Sequence, residues 1–77
     1  MNFEEAVAKV NGLKSCDNDT LLDLYAYYKQ ATIGQCNIES PGVFNIKATK
    51  KYQAWKGLGD MDSETAKSRY IRIASNL

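Results

Sequence analysis

Tyr28-Lys29-Gln30-Ala31-Thr32-Ile33-Gly34, then Pro41-Gly42, then Lys50-Lys51-Tyr52-Gln53-Ala54-Trp55, is the part of the chain that decides the fold. The first block continues a three-and-four spacing begun at Leu21 and Leu24, as an amphipathic helix requires, and Gly34 supplies its stop. Pro-Gly is the strongest turn dipeptide in the sequence, and residues 35 to 46 around it carry no sustained helical period. The second block restarts a helix. A connection this long crosses the molecule and lets the two helices it joins lie parallel.

Working outward, Phe3, Ala6, Val7, Val10 and Leu13 give a first amphipathic helix, expected to end near Lys14-Ser15. Asp17-Asn18-Asp19 offers N-caps for the second helix, down one side of which run Leu21, Leu24, Tyr25, Tyr28 and Thr32. Asn45 caps the third, where Ala48, Lys51, Tyr52, Trp55 and Leu58 share a side and Gly57 and Gly59 weaken the end. Asp62-Ser63-Glu64 opens the fourth as capping residues and nothing more. Lys67, Arg69 and Arg72 follow, as the helix dipole prefers, and Ala66, Tyr70, Ile73 and Leu77 form the apolar side. No alternating β-branched run and no Asn-Gly or Asp-Gly hairpin turn competes with this reading. The expectation is an all-α, four-helix domain.

At 77 residues, 44% apolar and 25% charged, the chain fits one globular domain and leaves no room for a second. It contains no histidine, which excludes Ser-His-Asp and Cys-His catalysis and a Cys/His zinc site, and two cysteines fall short of the four an all-thiolate zinc site needs. Cys16 and Cys36 form no Cys-x-x-Cys pair and are read as free thiols. Met1-Asn2-Phe3-Glu4-Glu5 enters the helical pattern without an apolar leader, and no apolar run reaches membrane-spanning length. The expected location is cytoplasmic, with no stable membrane insertion.

A net charge of +1 conceals an uneven distribution. Residues 1 to 28 balance at −3, residues 29 to 58 at +4 through Lys29, Lys47, Lys50, Lys51 and Lys56 against Glu39, and residues 59 to 77 at zero. The middle therefore attracts anions, while the near-neutral whole lacks the broad basic surface of a duplex-DNA binder. A few phosphates on one small ligand account for it.

Tyr25, Tyr28 and Lys29 project from neighbouring points of the second helix. The ordinary reading of such a stripe is core packing with a solvated lysine. Tyr25, Tyr27 and Tyr28 cannot all face inward, however, so at least one phenol lies near the surface. Lys51 shares a side with Tyr52 and Trp55, so its stem lies on apolar surface and its ammonium at a rim, available to phosphate. By spacing alone Lys47 is a solvated lysine and Trp55 a core anchor. Tyr70 sits on the inward stripe with a hydroxyl that needs a partner. Phenol faces and ammoniums together suit a ligand that carries both a flat base and phosphates.

Leu24-Tyr25, the Tyr28-to-Gly34 block, Asn37, Pro41-Gly42, Lys51, Ala54-Trp55, Ala66 and Tyr70-Ile71 together resemble the pattern of the acyl-CoA-binding protein family across nearly the whole chain. That resemblance implies an up-down-down-up bundle of four helices, one acyl-CoA-binding domain over residues 1–77. It implies non-catalytic binding, buffering and intracellular transport of medium- and long-chain fatty acyl-CoA thioesters by a monomer without a cofactor. Carried over position by position, it puts Tyr25, Lys29 and Lys51 around the ribose 3′-phosphate, Tyr28 against the adenine, and Lys47 and Tyr70 on the rest of the CoA portion. Val7, Leu21 and Leu22 would carry the acyl chain. The sequence departs from the family at Asn11, commonly a lysine, at Tyr52, commonly a tryptophan, and in a loop near Cys16 that is one residue short.

Two other classes are distinguishable. A small helical interaction or nucleic-acid-binding domain would use the Lys47-to-Lys56 patch and bind polyanions without regard to an acyl chain. A thiol enzyme would use Cys16 or Cys36, yet a cysteine nucleophile ordinarily needs a base or cationic activator, and no imidazole exists to supply one.

Overall fold

The computed structural model describes residues 1–42 and 44–77. Four helices form: α1 (Phe3–Asn11), α2 (Asn18–Thr32), α3 (Ile46–Lys56) and α4 (Ser63–Ser75), and among the described residues there is no strand. No described helix is long and apolar enough to cross a membrane.

Each helix begins at a short polar side chain that accepts from an otherwise unpaired backbone N–H of the first turn. Asp17, Asn45 and Asp62 accept from the amides of Thr20, Ala48 and Thr65, as the sequence predicts. Asn2 adds a reciprocal box, accepting from the Glu5 amide at 2.8 Å while its own amide donates to the Glu5 carboxylate at 3.0 Å. Thr65 also donates its hydroxyl to Asp62, and that bond is the main cause holding the Asp62 carboxyl below its ordinary range.

α1 stops at Asn11 rather than near Lys14-Ser15, because Gly12 caps it and the next turn is not continued. The extra turn expected from Leu13 is replaced by a single bond from the Leu13 amide to Val10. α2 ends as expected: Ile33 is the cap, and Gly34 follows at φ 104°, a conformation that costs glycine little and other residues much.

α2 and α4 form the middle of the packing. α1 rests on α4 and α3 on α2, and among the described residues the α1 and α2 backbones stay apart and meet only through side chains. Small side chains permit the close crossings, with Ala6, Ala26, Ala66 and Ala74 all buried. Ala6, Leu24, Tyr70 and Ala74 form the shared core where α1, α2 and α4 meet, with Phe3, Val7, Val10, Tyr27, Ile71 and Ile73 around them.

The inward side of α2 differs from the sequence reading. Leu24, Ala26, Gln30 and Ala31 are the buried positions, whereas Leu21, Tyr28 and Thr32 are exposed. Thr32 closes its hydroxyl onto the Tyr28 carbonyl instead of packing inward. Leu77 likewise lies past the end of α4 and is exposed. The apolar spacing was real, but it marked a second face, described below.

The end of α2 is fastened by side chains from three places. The Trp55 indole N–H donates to the Gly34 carbonyl at 2.9 Å, fixing α3. Ser63, expected only to cap α4, donates to the Ala31 carbonyl at 2.6 Å, one of the last α2 carbonyls without a helical partner. Gln30, fully buried, donates to the carbonyls of Gly59 and Met61 at 3.1 and 2.7 Å, anchoring the α3–α4 connection.

Gln30→Ala removes both bonds and leaves two carbonyls and a cavity. It is expected to cost about 2–4 kcal/mol of unfolding free energy in urea titration. A loss under about 1 kcal/mol, the scale of one ordinary hydrogen bond, would refute the anchoring role.

Candidate functional site

Because α1 and α2 each pack on α4 while their backbones stand apart, a groove of about 370 Å³ runs between them. Val7, Val10 and Asn11 of α1 form one wall, Leu21, Leu24, Tyr25 and Tyr28 of α2 the other, and Tyr70 of α4 the floor. On α2 the wall residues fall at i, i+3, i+4 and i+7, so the stripe read from the sequence faces this groove, and Leu24, like Tyr70 of α4, serves both groove and core. That volume lies within the usual range for small-molecule sites, and its lining is largely apolar with a few phenols, as such sites usually are.

One end of the groove is aromatic. Phe3 stacks on Tyr28 at 6.0 Å between centroids and meets Tyr70 edge-on at 5.2 Å, while Tyr28 and Tyr70 lie 6.3 Å apart. These separations are those at which ring quadrupoles attract. Tyr28 remains 38% exposed, which leaves its ring accessible to a flat partner. Among the described residues the Tyr70 hydroxyl has no hydrogen-bond partner within the protein, although the residue is buried and lines the groove.

The other feature is cationic. The Lys51 ammonium of α3 lies 5.3 Å from the Tyr25 ring centroid and that of Lys29 lies 5.8 Å from it, with Lys29 also 5.9 Å from the Trp55 ring. Two like charges thus share one phenol across the α2–α3 seam. The only ion pair among the described residues is Lys67 with Glu64, so neither ammonium is neutralised by a carboxylate. The electron-rich ring faces hold them at modest gain. An anion with several acceptor oxygens would complete the site through charge-assisted hydrogen bonds.

Of the residues expected at the site, Val7, Leu21, Tyr25, Tyr28 and Tyr70 line the groove, and Lys29 and Lys51 converge beside Tyr25. Two are not brought there. Leu22 follows Leu21 by about 100° of helix rotation and is half-buried outside the groove, and Lys47 is exposed on the first turn of α3. The sequence reading missed Phe3, Val10 and Leu24 as site residues, though each stands three or four positions from one it named, on the same helical face. Asn11 lines the groove as a neutral amide.

Cys16 and Cys36 are free, half-buried thiols, and neither lines the groove. No group of three metal-ligating side chains occurs among the described residues.

Comparison with known proteins fits this geometry. The family model described as "Acyl CoA binding protein" matches residues 1–74. The acyl-CoA-binding protein of Dictyostelium discoideum is 43% identical over 76 residues, covering 97% of this chain and 90% of that protein. The crystal structure of Oryza sativa acyl-CoA-binding protein 2 superposes with a TM-score of 0.91 at 38% identity, covering 97% of this chain and 84% of that one. Enoyl-CoA delta isomerase 2 of Rattus norvegicus is 43% identical over 77 residues, but this chain spans only 20% of it. The chain belongs to the acyl-CoA-binding protein family, and its fold is the all-α fold of that family.

Burial, and secondarily the neighbouring Tyr28, raises the Tyr70 phenol above its ordinary 10.0. The folded chain therefore holds this proton more tightly than the unfolded one, so the contribution to stability is complete below pH 10 and is lost as the pH climbs beyond it. Urea midpoints measured across that range should fall with rising pH, and less steeply in Tyr70→Phe. Equal slopes in the two proteins would refute the assignment.

Proposed function

We propose that this chain binds fatty acyl-CoA thioesters of medium or long chain length, buffering and carrying them in the cytoplasm as a monomer, without a cofactor and without turning them over. The observation that supports it is the pairing of Lys29 and Lys51 over Tyr25, lacking any carboxylate among the described residues, beside an apolar groove. In this reading Lys29, Lys51 and Tyr25 hold the ribose 3′-phosphate, Tyr28 offers its ring to the adenine, and the Tyr70 hydroxyl donates to the CoA portion. Lys47 adds to the positive field from the turn before Lys51. Val7 and Leu21, with Val10 and Leu24, take the acyl chain, and Leu22 extends the apolar surface beside them. Residues 1–77 act as one domain, and no step of this function calls on nucleic acid.

The two ends of the ligand would divide the work. Burying about a dozen methylenes at roughly 0.8 kcal/mol each contributes on the order of 10 kcal/mol before the costs of association. Charge-assisted hydrogen bonds at about 1.5–3 kcal/mol each, and a stacked base at about 1–3 kcal/mol, are available only to a ligand that carries the nucleotide. The chain would supply affinity and the nucleotide selectivity.

Titration calorimetry with palmitoyl-CoA, CoA and palmitate tests this. Palmitoyl-CoA should bind far more tightly than CoA, and palmitate hardly at all. Lys51→Ala should weaken palmitoyl-CoA binding by roughly tenfold, the worth of one charge-assisted hydrogen bond, with little change in stability. It should also lose less than the wild type when the 3′-phosphate is removed. Equal affinity for palmitate and palmitoyl-CoA would leave only a simple apolar groove. An equal loss on dephosphorylation would move the phosphate away from Lys51.

A further inference from the structure

The start of α3 carries a surface that the groove does not use. Phe44 is 98% exposed and Ile46 is 67% exposed, two positions apart. Two large apolar side chains so exposed and so near in sequence are where a contact surface is to be sought. The backbone there is tied down. The Asn45 amide donates to the Gly42 carbonyl at 3.0 Å, and the Thr49 hydroxyl donates to the Asn45 carbonyl at 2.8 Å. Phe44 immediately precedes Asn45, the cap of α3.

Charge surrounds this apolar tip on one side. Lys50 stands four residues after Ile46 and three after Lys47, so the three share the outer face of α3, and all are exposed. α3 contains no acid, and neither Lys47 nor Lys50 is paired with a carboxylate among the described residues.

We propose that Phe44 and Ile46, flanked by Lys47 and Lys50, form a docking tip for an anionic lipid bilayer surface. Apolar side chains would enter the boundary between headgroups and acyl chains while the ammoniums stay at the phosphates, the arrangement by which interfacial segments bind membranes reversibly. A second copy of the chain fits less well. A stable interface needs about 800 Å² from each partner, whereas one aromatic side chain buries roughly 150–250 Å². A bilayer needs no matching pocket and supplies the negative charge that complements the lysines. Phe44, Ile46 and Lys50 do not line the groove, and Lys47 is the one residue that the docking tip shares with the proposed acyl-CoA site.

Co-sedimentation of the ligand-free chain with vesicles tests this, using phosphatidylcholine alone and phosphatidylcholine with about one-third phosphatidylserine at low salt. The wild type should pellet with the anionic vesicles and remain in solution with the neutral ones or in high salt. Phe44→Ser should lower the vesicle affinity about tenfold or more. Lys50→Gln should lower it about fivefold. Both variants should keep the helical circular dichroism of the wild type, because both side chains point into solvent. A wild type that stays in solution with anionic vesicles overturns the proposal, as does a Phe44→Ser variant that pellets as well as the wild type. Self-association that depends on Phe44, without vesicle binding, overturns it in favour of a second copy.

Discussion

The carbonyl groups at the carboxyl end of α2 are the constraint on which the arrangement depends. A helix leaves its last carbonyls without partners, and buried ones must find donors elsewhere. Here Ser63 reaches Ala31 and Trp55 reaches Gly34, while Gln30, from inside the same turn, reaches out to Gly59 and Met61. Each bond joins a different part of the chain to one place. The Gln-Ala-Thr-Ile-Gly block is thereby a fastening, and just before it lie Tyr28, which lines the groove, and Lys29, whose ammonium stands over Tyr25. The junction has a cost as well: Gln30 Oε1 is buried with no hydrogen-bond partner. Its orientation follows from the two carbonyls opposite: both are acceptors, so the amide turns its NH2 toward them and leaves Oε1 facing away.

From that junction the groove follows. With α2 fixed at its end to α3 and α4, and α1 resting on α4 through Ala6, the α1 and α2 backbones stand apart over a floor made by Tyr70. Had the two backbones closed together, Leu21 and the groove-facing sides of Val7 and Val10 would have been core. Instead they form walls, and Phe3 closes one end by meeting both Tyr28 and Tyr70. The Lys67 ammonium lies 5.9 Å from the other partner in that contact, the Phe3 ring, adding a further tie between α1 and α4.

Local chemistry made most of the elements legible. Asp17, Asn45 and Asp62 are caps because short acceptors reach the first-turn amides, and Gly34 ends α2 because the chain turns there through a positive φ. Long-range choices were not legible. An apolar stripe at helical spacing says which residues share a face, not whether that face meets a helix or a cleft, so spacing alone favoured core packing for Tyr28, which is a wall. Ser63 could not be seen as a tie, since its acceptor is 32 residues away. Gly12 ended α1 a turn early against the pull of Leu13, a contest of small terms that spacing does not decide. The lysines were legible as a charge imbalance, but that Lys29 and Lys51 meet over one ring, while Lys47 does not join them, depends on how α3 lies on α2.

Trp55 holds α3 to the end of α2, and close by two positive charges push the same pair of helices apart over Tyr25. Attraction and repulsion are therefore set against each other along a single seam. An anion seated between the ammoniums would reverse the sign of the second force and act as a clasp, so occupancy and durability of the fold would rise together.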